Sequence, residues 1–349
     1  MRALVKNSAA QYDMNIKEVP TPAPGVGEVL VRVTAASICG SDLHMYMGHK
    51  GYDWVGYPII MGHEMVGKVV QAGPGAQGMV GERVIINPYI PCGSCVNCLA
   101  GEENICQWGP PTLTAPPPSL QFGFRKDGGM AEYIAVPMDN ALPLGNEIPD
   151  QVGAILESMA VCVHAVSKAG DVKNKDVVVF GPGPIGFGIA AVCNGLGANK
   201  VVVAGLPDDE KRLEIMEKIN AVPVKVESGD YSRLAGKLRD KPADLVFDCS
   251  GHPSVAEQAI HLLKKGGKVI LVGISTGKFS LPVDCMVRGE IGIKGTYGTS
   301  KASFLQAISY AGRPEFPFSL IVTDSFALDD ARDAFELARA KKGKIILCP

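Results

Sequence analysis

DVVVFGPGPIG, residues 176–186, decides the fold. Val177 to Phe180 is an uninterrupted apolar run, mostly β-branched, the pattern of a strand buried on both faces. It leads into Gly181, Gly183 and Gly186 in a G-x-G-x-x-G spacing, after which Ile185 to Leu196 reads as a helix. Each glycine has a mechanical reason at such a turn: the tight bend, close approach of a pyrophosphate to bare backbone, and close helix–strand packing. Pro184 and Ile185 open the helix, whose free N–H groups and dipole favour a phosphate. The spacing alone is a weak signal; the flanking strand and helix make it a dinucleotide site. Working outward, strands are expected at Lys200 to Ala204, Ala221 to Val226, Ala243 to Asp248 and Lys268 to Val272, with a helix from about Asp209 to Asn220. Strand alternating with helix implies a parallel, doubly wound α/β sheet.

Upstream lies a different chemistry. PCGSCVNCLAGEENIC, residues 91–106, holds Cys92, Cys95, Cys98 and Cys106 in a C-x2-C-x2-C-x7-C spacing. Close C-x2-C repeats bring thiolates within reach of one ion, and Gly93 lets the backbone fold tightly around a sulfur. Four soft thiolates suit a closed, tetrahedral, structural zinc. An iron–sulfur cluster is the rival, but its bacterial spacing continues with x3-C-P, whereas here the gap is seven and Gln107 follows. The proline-rich stretch from Trp108 to Ser119 reads as a loop without core.

A second constellation is open rather than closed. ICGSDLH (38–44) and GHEMVG (62–67) offer Cys39, His63 and Glu64: a thiolate, an imidazole and a carboxylate. A catalytic zinc takes three protein ligands of these types and leaves a fourth position for water or substrate. Each residue alone is more often core or surface than ligand; the dinucleotide motif in the same chain gives the trio its meaning.

The bulk numbers bound the rest. At 349 residues the chain exceeds one core of ~250–300 residues, so two domains are expected. With 46% hydrophobic and 20% charged residues, it is neither disordered nor fibrous. A net charge of −2 argues against a nucleic-acid partner. MRALVK alternates like a strand and no apolar targeting segment follows it. The longest uncharged central run, Val177 to Asn199, carries too many glycines and prolines for a membrane helix. No membrane partner is expected and the chain is read as cytoplasmic, where clustered thiols are metal ligands more often than disulfides.

Taken together, the motifs resemble those of the zinc-containing medium-chain alcohol dehydrogenases. The resemblance runs essentially end to end through GHEMVGKVVQAGPGA, GERV, the four-cysteine lobe, GGMAEYIAVP, GPGPIG and GKIILCP. It implies a mostly β, GroES-like catalytic domain (1–158 and 296–349, zinc lobe about 91–107) and a Rossmann nucleotide-binding domain (159–295). It also implies two zinc ions per chain, one catalytic and one structural. Cys39, His63 and Glu64 match the catalytic ligands. Glu157, in ESMAVCVHA, matches the glutamate that reaches the metal directly or through its water, with Ser158 replacing a usual proline. Ser41 matches the relay hydroxyl, His44 a distal relay residue, and Asp42 the carboxylate that orients His63; the plain alternative for Asp42 is a helix cap. The reaction so implied moves a hydride between a secondary alcohol and NAD(P), giving a ketone. A homodimer or homotetramer is expected.

Two points stay open in the sequence. The acid that binds the NAD ribose is expected where Gly205 stands. Lys211 or Arg212 could pair with a 2′-phosphate, while Asp208, Asp209 and Glu210 would repel one, and one of them could replace the missing acid. Arg212 aligns with an arginine common in NAD-using relatives, so the reading leans to NAD. The substrate branch is also divided. CGSDLH suits polyol dehydrogenases, yet Gly298 stands at their sugar-binding arginine. CGSDLHMY and KGTYG suit threonine dehydrogenases. The favoured substrate is a polyol, sugar or sugar derivative, including phosphorylated ones, with threonine the alternative and Tyr46, Phe124, Arg288 and Tyr297 as pocket candidates. A zinc-free quinone-reductase-like relative and a non-catalytic zinc-binding module are the readings of another class. His164, His252, His261, Cys162, Cys193, Cys249, Cys285 and Cys348 are expected to be structural.

Overall fold

In the computed structural model, strand Asp176–Phe180 stands third in a six-stranded sheet whose neighbours all run parallel. The order is Val222–Lys225, Lys200–Gly205, Asp176–Phe180, Ala243–Asp248, Leu263–Leu271, Gly292–Gly295. The chain therefore starts in the middle, winds outward to one edge, returns and winds to the other, a doubly wound arrangement. Val177, Val178 and Val179 are fully buried, and each such side chain contributes ~1.5–3 kcal/mol of burial free energy. Helices Pro184–Gly195, Glu210–Lys218 and Pro253–His261 fall between the strands. The structure describes all residues except 53, 108–119, 228–229, 231, 239–240, 275–276 and 341–342. The expected loop from Trp108 to Ser119 lies outside the described residues.

The chain divides into two compact units. The first comprises Met1–Glu157, Thr299–Ala311 and Val322–Pro349; the second comprises Ser158–Gly298 and Gly312–Ile321. Segment 312–321, expected with the catalytic domain, thus groups with the nucleotide-binding unit. The reason is local: Phe316 packs so closely on Gly195, at the end of the glycine-loop helix, that a Cβ on Gly195 would lie 2.4 Å from its ring.

The first unit is built around a seven-stranded sheet, mostly antiparallel, with strand Glu28–Ser37 at its centre. On one side of it lies Met65–Ala72, and on the other Lys344–Cys348. Val31, Val33, Met65, Val69, Ile345 and Leu347, contributed by these three strands, join one core. Helix Asp150–Ala169 is long and apolar enough by composition to cross a membrane, but 83% of its most apolar window is buried, as in a core helix. It continues unbroken through Ser158, so the loss of the usual proline creates no kink.

Candidate active site

Three strands of the central sheet deliver the open metal constellation. Strand Glu28–Ser37 ends at Ser37, whose N–H donates to the Glu64 carbonyl at 2.9 Å; the N–H of Ile38 donates to the Ile345 carbonyl at 3.0 Å. Cys39 is thereby fixed beside Glu64, which immediately precedes strand Met65–Ala72, and Lys344, which opens strand Lys344–Cys348. Cys39 is also the N-cap of helix Gly40–Tyr46. Gly62 takes φ +92°, and a Cβ there would lie 2.6 Å from Met130 Cγ, so only glycine makes the bend that presents His63. The ligand atoms of Cys39, His63 and Glu64 all lie within 4.8 Å of one another.

Asp42 caps the helix and also faces His63, without a hydrogen bond to it. One carboxylate oxygen accepts from the Cys39 N–H at 2.9 Å, capping the helix. The other stands 3.7 Å from His63 Nδ1. With Nδ1 facing Asp42, the opposite ring nitrogen is left for a metal. Glu64 has a partner that the sequence reading did not single out. Lys344 Nζ donates to both its oxygens, at 2.5 and 2.6 Å, and both side chains are almost wholly buried. Glu157 is buried in the same electrostatic neighbourhood as His63, Glu64, Lys344 and Asp42.

The charge balance fits a cation. Burial raises the carboxyl of Asp42, and pushes that of Glu157 up to about 7. Burial pulls His63 down, but Asp42 and then Cys39 outweigh it and lift the imidazole to about 10. The site is thus anionic enough to hold a proton on His63 that a metal ligand must give up; a divalent ion would supply the same charge and release that proton. Thiolate, imidazole and carboxylate at this spacing are the donor set of a catalytic zinc.

Around the trio, Ser41 Oγ is buried and makes no hydrogen bond among the described residues. Phe124 is buried against the His63 ring, with centroids 4.9 Å apart, and Trp54 stacks on Phe124 at 5.3 Å. His44 is exposed; its Nδ1 lies 2.8 Å from His49 Nδ1, and its ring stacks on Tyr52 at 5.7 Å. Tyr46, expected to line the pocket, is instead a core residue. Its ring packs on Tyr12 and Phe335, and its hydroxyl donates to Glu336 at 2.8 Å. Arg288 and Tyr297 belong to the second unit, Arg288 exposed on helix Val283–Gly289 and Tyr297 half-buried.

Cys92, Cys95, Cys98 and Cys106 form a second cluster. Sulfur–sulfur distances are 3.9 Å for Cys92–Cys98, 3.4 Å for Cys95–Cys98 and 4.0 Å for Cys95–Cys106. Four sulfurs at ~2.3 Å from one zinc stand ~3.8 Å apart, so the cluster fits that ion. Backbone N–H groups of Ser94 and Cys95 lower the Cys92 thiol to about 6, whereas burial and then Cys95 push the Cys98 thiol up to about 12.

In the second unit the three glycines have distinct surroundings. Gly181 turns with φ +93°, a Cβ on Gly186 would lie 1.9 Å from the Gly181 carbonyl oxygen, and a Cβ on Gly183 would meet nothing within 4 Å. The first two make the turn and its packing; the third leaves open the space a pyrophosphate needs, at the N-cap of helix Pro184–Gly195. Arg212 is largely buried and directed at Asp209, 3.5 Å away.

Comparison with known proteins follows the same division. Residues 25–149 match the alcohol dehydrogenase GroES-like domain, and residues 184–312 match the zinc-binding dehydrogenase family. The L-threonine 3-dehydrogenase of Aeromonas salmonicida (strain A449) is 31% identical over 352 residues, covering 99% of each chain. Among solved structures, the rspB dehydrogenase of Escherichia coli CFT073, complexed with NADH, has TM-score 0.90 at 26% identity, covering 100% of this chain and 99% of that one. L-idonate 5-dehydrogenase of Escherichia coli K-12 has TM-score 0.87 at 26% identity, covering 100% and 98%.

Proposed function

Because the chain belongs to the zinc-dependent medium-chain alcohol dehydrogenase family, we propose that it oxidises a secondary alcohol of a polyol, sugar or sugar derivative to the ketone, with NAD(P) as hydride acceptor. The observation that carries this reading is the convergence of Cys39, His63 and Glu64 within 4.8 Å, in a chain that also holds an open glycine cradle. When bound, zinc supplies Lewis acidity toward the alcohol oxygen and the nicotinamide supplies the hydride-accepting carbon.

The chain's own residues do the rest. Cys39, His63 and Glu64 hold the metal, with Glu157 entering directly or through a water. Asp42 keeps His63 in the tautomer that ligates. Ser41 Oγ, buried and unengaged, takes the alcohol proton, and His44 passes it outward. Phe124 walls the site beside His63 and limits water. Cys92, Cys95, Cys98 and Cys106 hold a structural zinc that staples their lobe. The L-threonine 3-dehydrogenase relative supports a second reading, oxidation of the threonine 3-hydroxyl. All ten cysteines are free thiols, which agrees with a cytoplasmic location. Homo-oligomerisation is assigned to the sheet-edge strand Gly292–Gly295.

The test is formation of reduced nicotinamide by zinc-loaded protein with polyols, sugar acids, phosphorylated polyols and threonine. Turnover on a polyol-type substrate supports the first reading and turnover on threonine alone the second. Silence across the panel, with only one zinc per chain, overturns the catalytic-site assignment.

A further inference from the structure

Strand Lys200–Gly205 ends without the acid that reads an NAD ribose, and packing explains why. A Cβ on Gly205 would lie 2.7 Å from Pro182 Cγ and 3.1 Å from Leu213 Cδ2. Pro182 sits inside the glycine-rich turn, so a carboxylate at residue 205 would displace the turn it is meant to serve. The ribose end of the cradle must be read from elsewhere.

The neighbouring strand supplies the means. Gly205 is in register with Lys225, and in-register residues of adjacent strands project to the same face. Lys225 is ion-paired with Glu210, the first residue of the helix that follows; their side chains are 48% and 62% exposed. The other acids of this turn are placed differently. Asp209 is buried, accepting from the Leu206 N–H at 3.2 Å and facing Arg212 at 3.5 Å, so it caps the turn. Asp208 is exposed one residue further back.

We propose that Glu210, held by Lys225, replaces the missing residue-205 carboxylate as reader of the adenosine ribose and selects NAD over NADP. A ribose diol needs an acceptor and a donor, and this pair presents one of each. A 2′-phosphate would meet the Glu210 carboxylate, with Asp208 adding to the repulsion. The competing outcome has a physical basis too. Lys225 also lines a groove of about 510 Å³ with Arg233 and Lys237, and a phosphate drawn there would invert the preference.

The inference rests on the dinucleotide reading above, and binding rather than turnover tests it. NADH and NADPH are titrated by fluorescence into zinc-loaded wild-type protein and Glu210→Gln, with 5′-AMP and adenosine 2′,5′-bisphosphate as competitors. Wild type is expected to bind NADH at least about tenfold tighter than NADPH, the worth of one hydrogen bond to a charged group. Glu210→Gln should narrow or reverse that ratio, and 5′-AMP should displace NADH better than the bisphosphate. A wild-type preference for NADPH, or an unchanged ratio in the variant, overturns the proposal and leaves the dinucleotide reading intact. Failure of both nucleotides to bind overturns both.

Discussion

Lys344 is paired with a candidate metal ligand, Glu64, without being one itself. It satisfies both oxygens of a carboxylate that is otherwise sealed from water. Removing one member of such a pair leaves an uncompensated buried charge and costs about 3–5 kcal/mol. Lys344→Met is therefore expected to lose about that much in urea denaturation, and Lys344→Met combined with Glu64→Gln to recover part of it. Its importance was not legible in sequence, because its partner lies 280 positions away and a lysine opening an apolar strand looks like a solvated end. Tyr46 erred in the opposite direction: beside a motif helix it read as a pocket wall, while the helix face it occupies packs on the core. That Cys39, His63 and Glu64 come together was legible because ligand chemistry restricts the residue types that can share such a site. His44 allows a pH prediction. Although exposed at its edge, the ring is partly desolvated where it packs on His49 and Tyr52; that desolvation, then the His49 charge, lowers its imidazole below the ordinary value, and only the neutral ring accepts a proton. Tyr52 stacks on the ring. The acid limb of alcohol oxidation is therefore expected below pH ~6.5, and His49→Asn should move it upward in a kcat–pH profile.

At the scale of the element, the glycine-rich turn separates folding from binding. Gly183 has φ −68° and open space where a Cβ would go. Gly183→Ala should leave stability within about 1 kcal/mol of wild type while filling the cradle, so nucleotide affinity falls and the thermal midpoint stays. Gly186→Ala meets the Gly181 carbonyl at 1.9 Å and should lower stability itself, by about 1–3 kcal/mol, in the same melt. Most of this unit was readable, since buried parallel strands are continuous apolar runs. Ala243–Asp248 falls where expected. Leu263–Leu271 begins earlier than the expected Lys268, because Leu263 already pairs with Ala243 across a bulge. The edge strand Gly292–Gly295 escaped notice: its sequence, GIKG, has glycine at both ends and one exposed lysine, and it is a strand only because Leu263–Leu271 pairs with it.

At the scale of the whole molecule, the two compact units divide the candidate sites: both side-chain groups that could hold a metal lie in the first, and the glycine-rich turn lies in the second. The two metal clusters, both in the first unit, are separable as well. Cys98→Ser is expected to cut zinc from two ions to one per chain by elemental analysis and to make the 92–106 lobe more sensitive to protease. Nucleotide binding by the second unit should persist in the same variant. The division between units was visible in sequence as a change from glycine- and proline-rich strands to regular strand–helix alternation. The affiliation of segment 312–321 was not, since it depends on tertiary packing against helices Pro184–Gly195 and Glu210–Lys218.

The pair Glu64–Lys344 also sets an order of events during synthesis. Glu64 leaves the ribosome long before Lys344 does, and strand Lys344–Cys348 lies inside the sheet rather than at its edge. Until that strand is inserted, the carboxylate lacks its lysine partner and the sheet is open beside it. The nascent chain thus keeps its catalytic centre unfinished while the nucleotide-binding unit between the two residues is made. A message cut short before codon 344 would yield a chain carrying every candidate metal ligand but lacking the lysine that pairs with Glu64 and the strand beside Ser37.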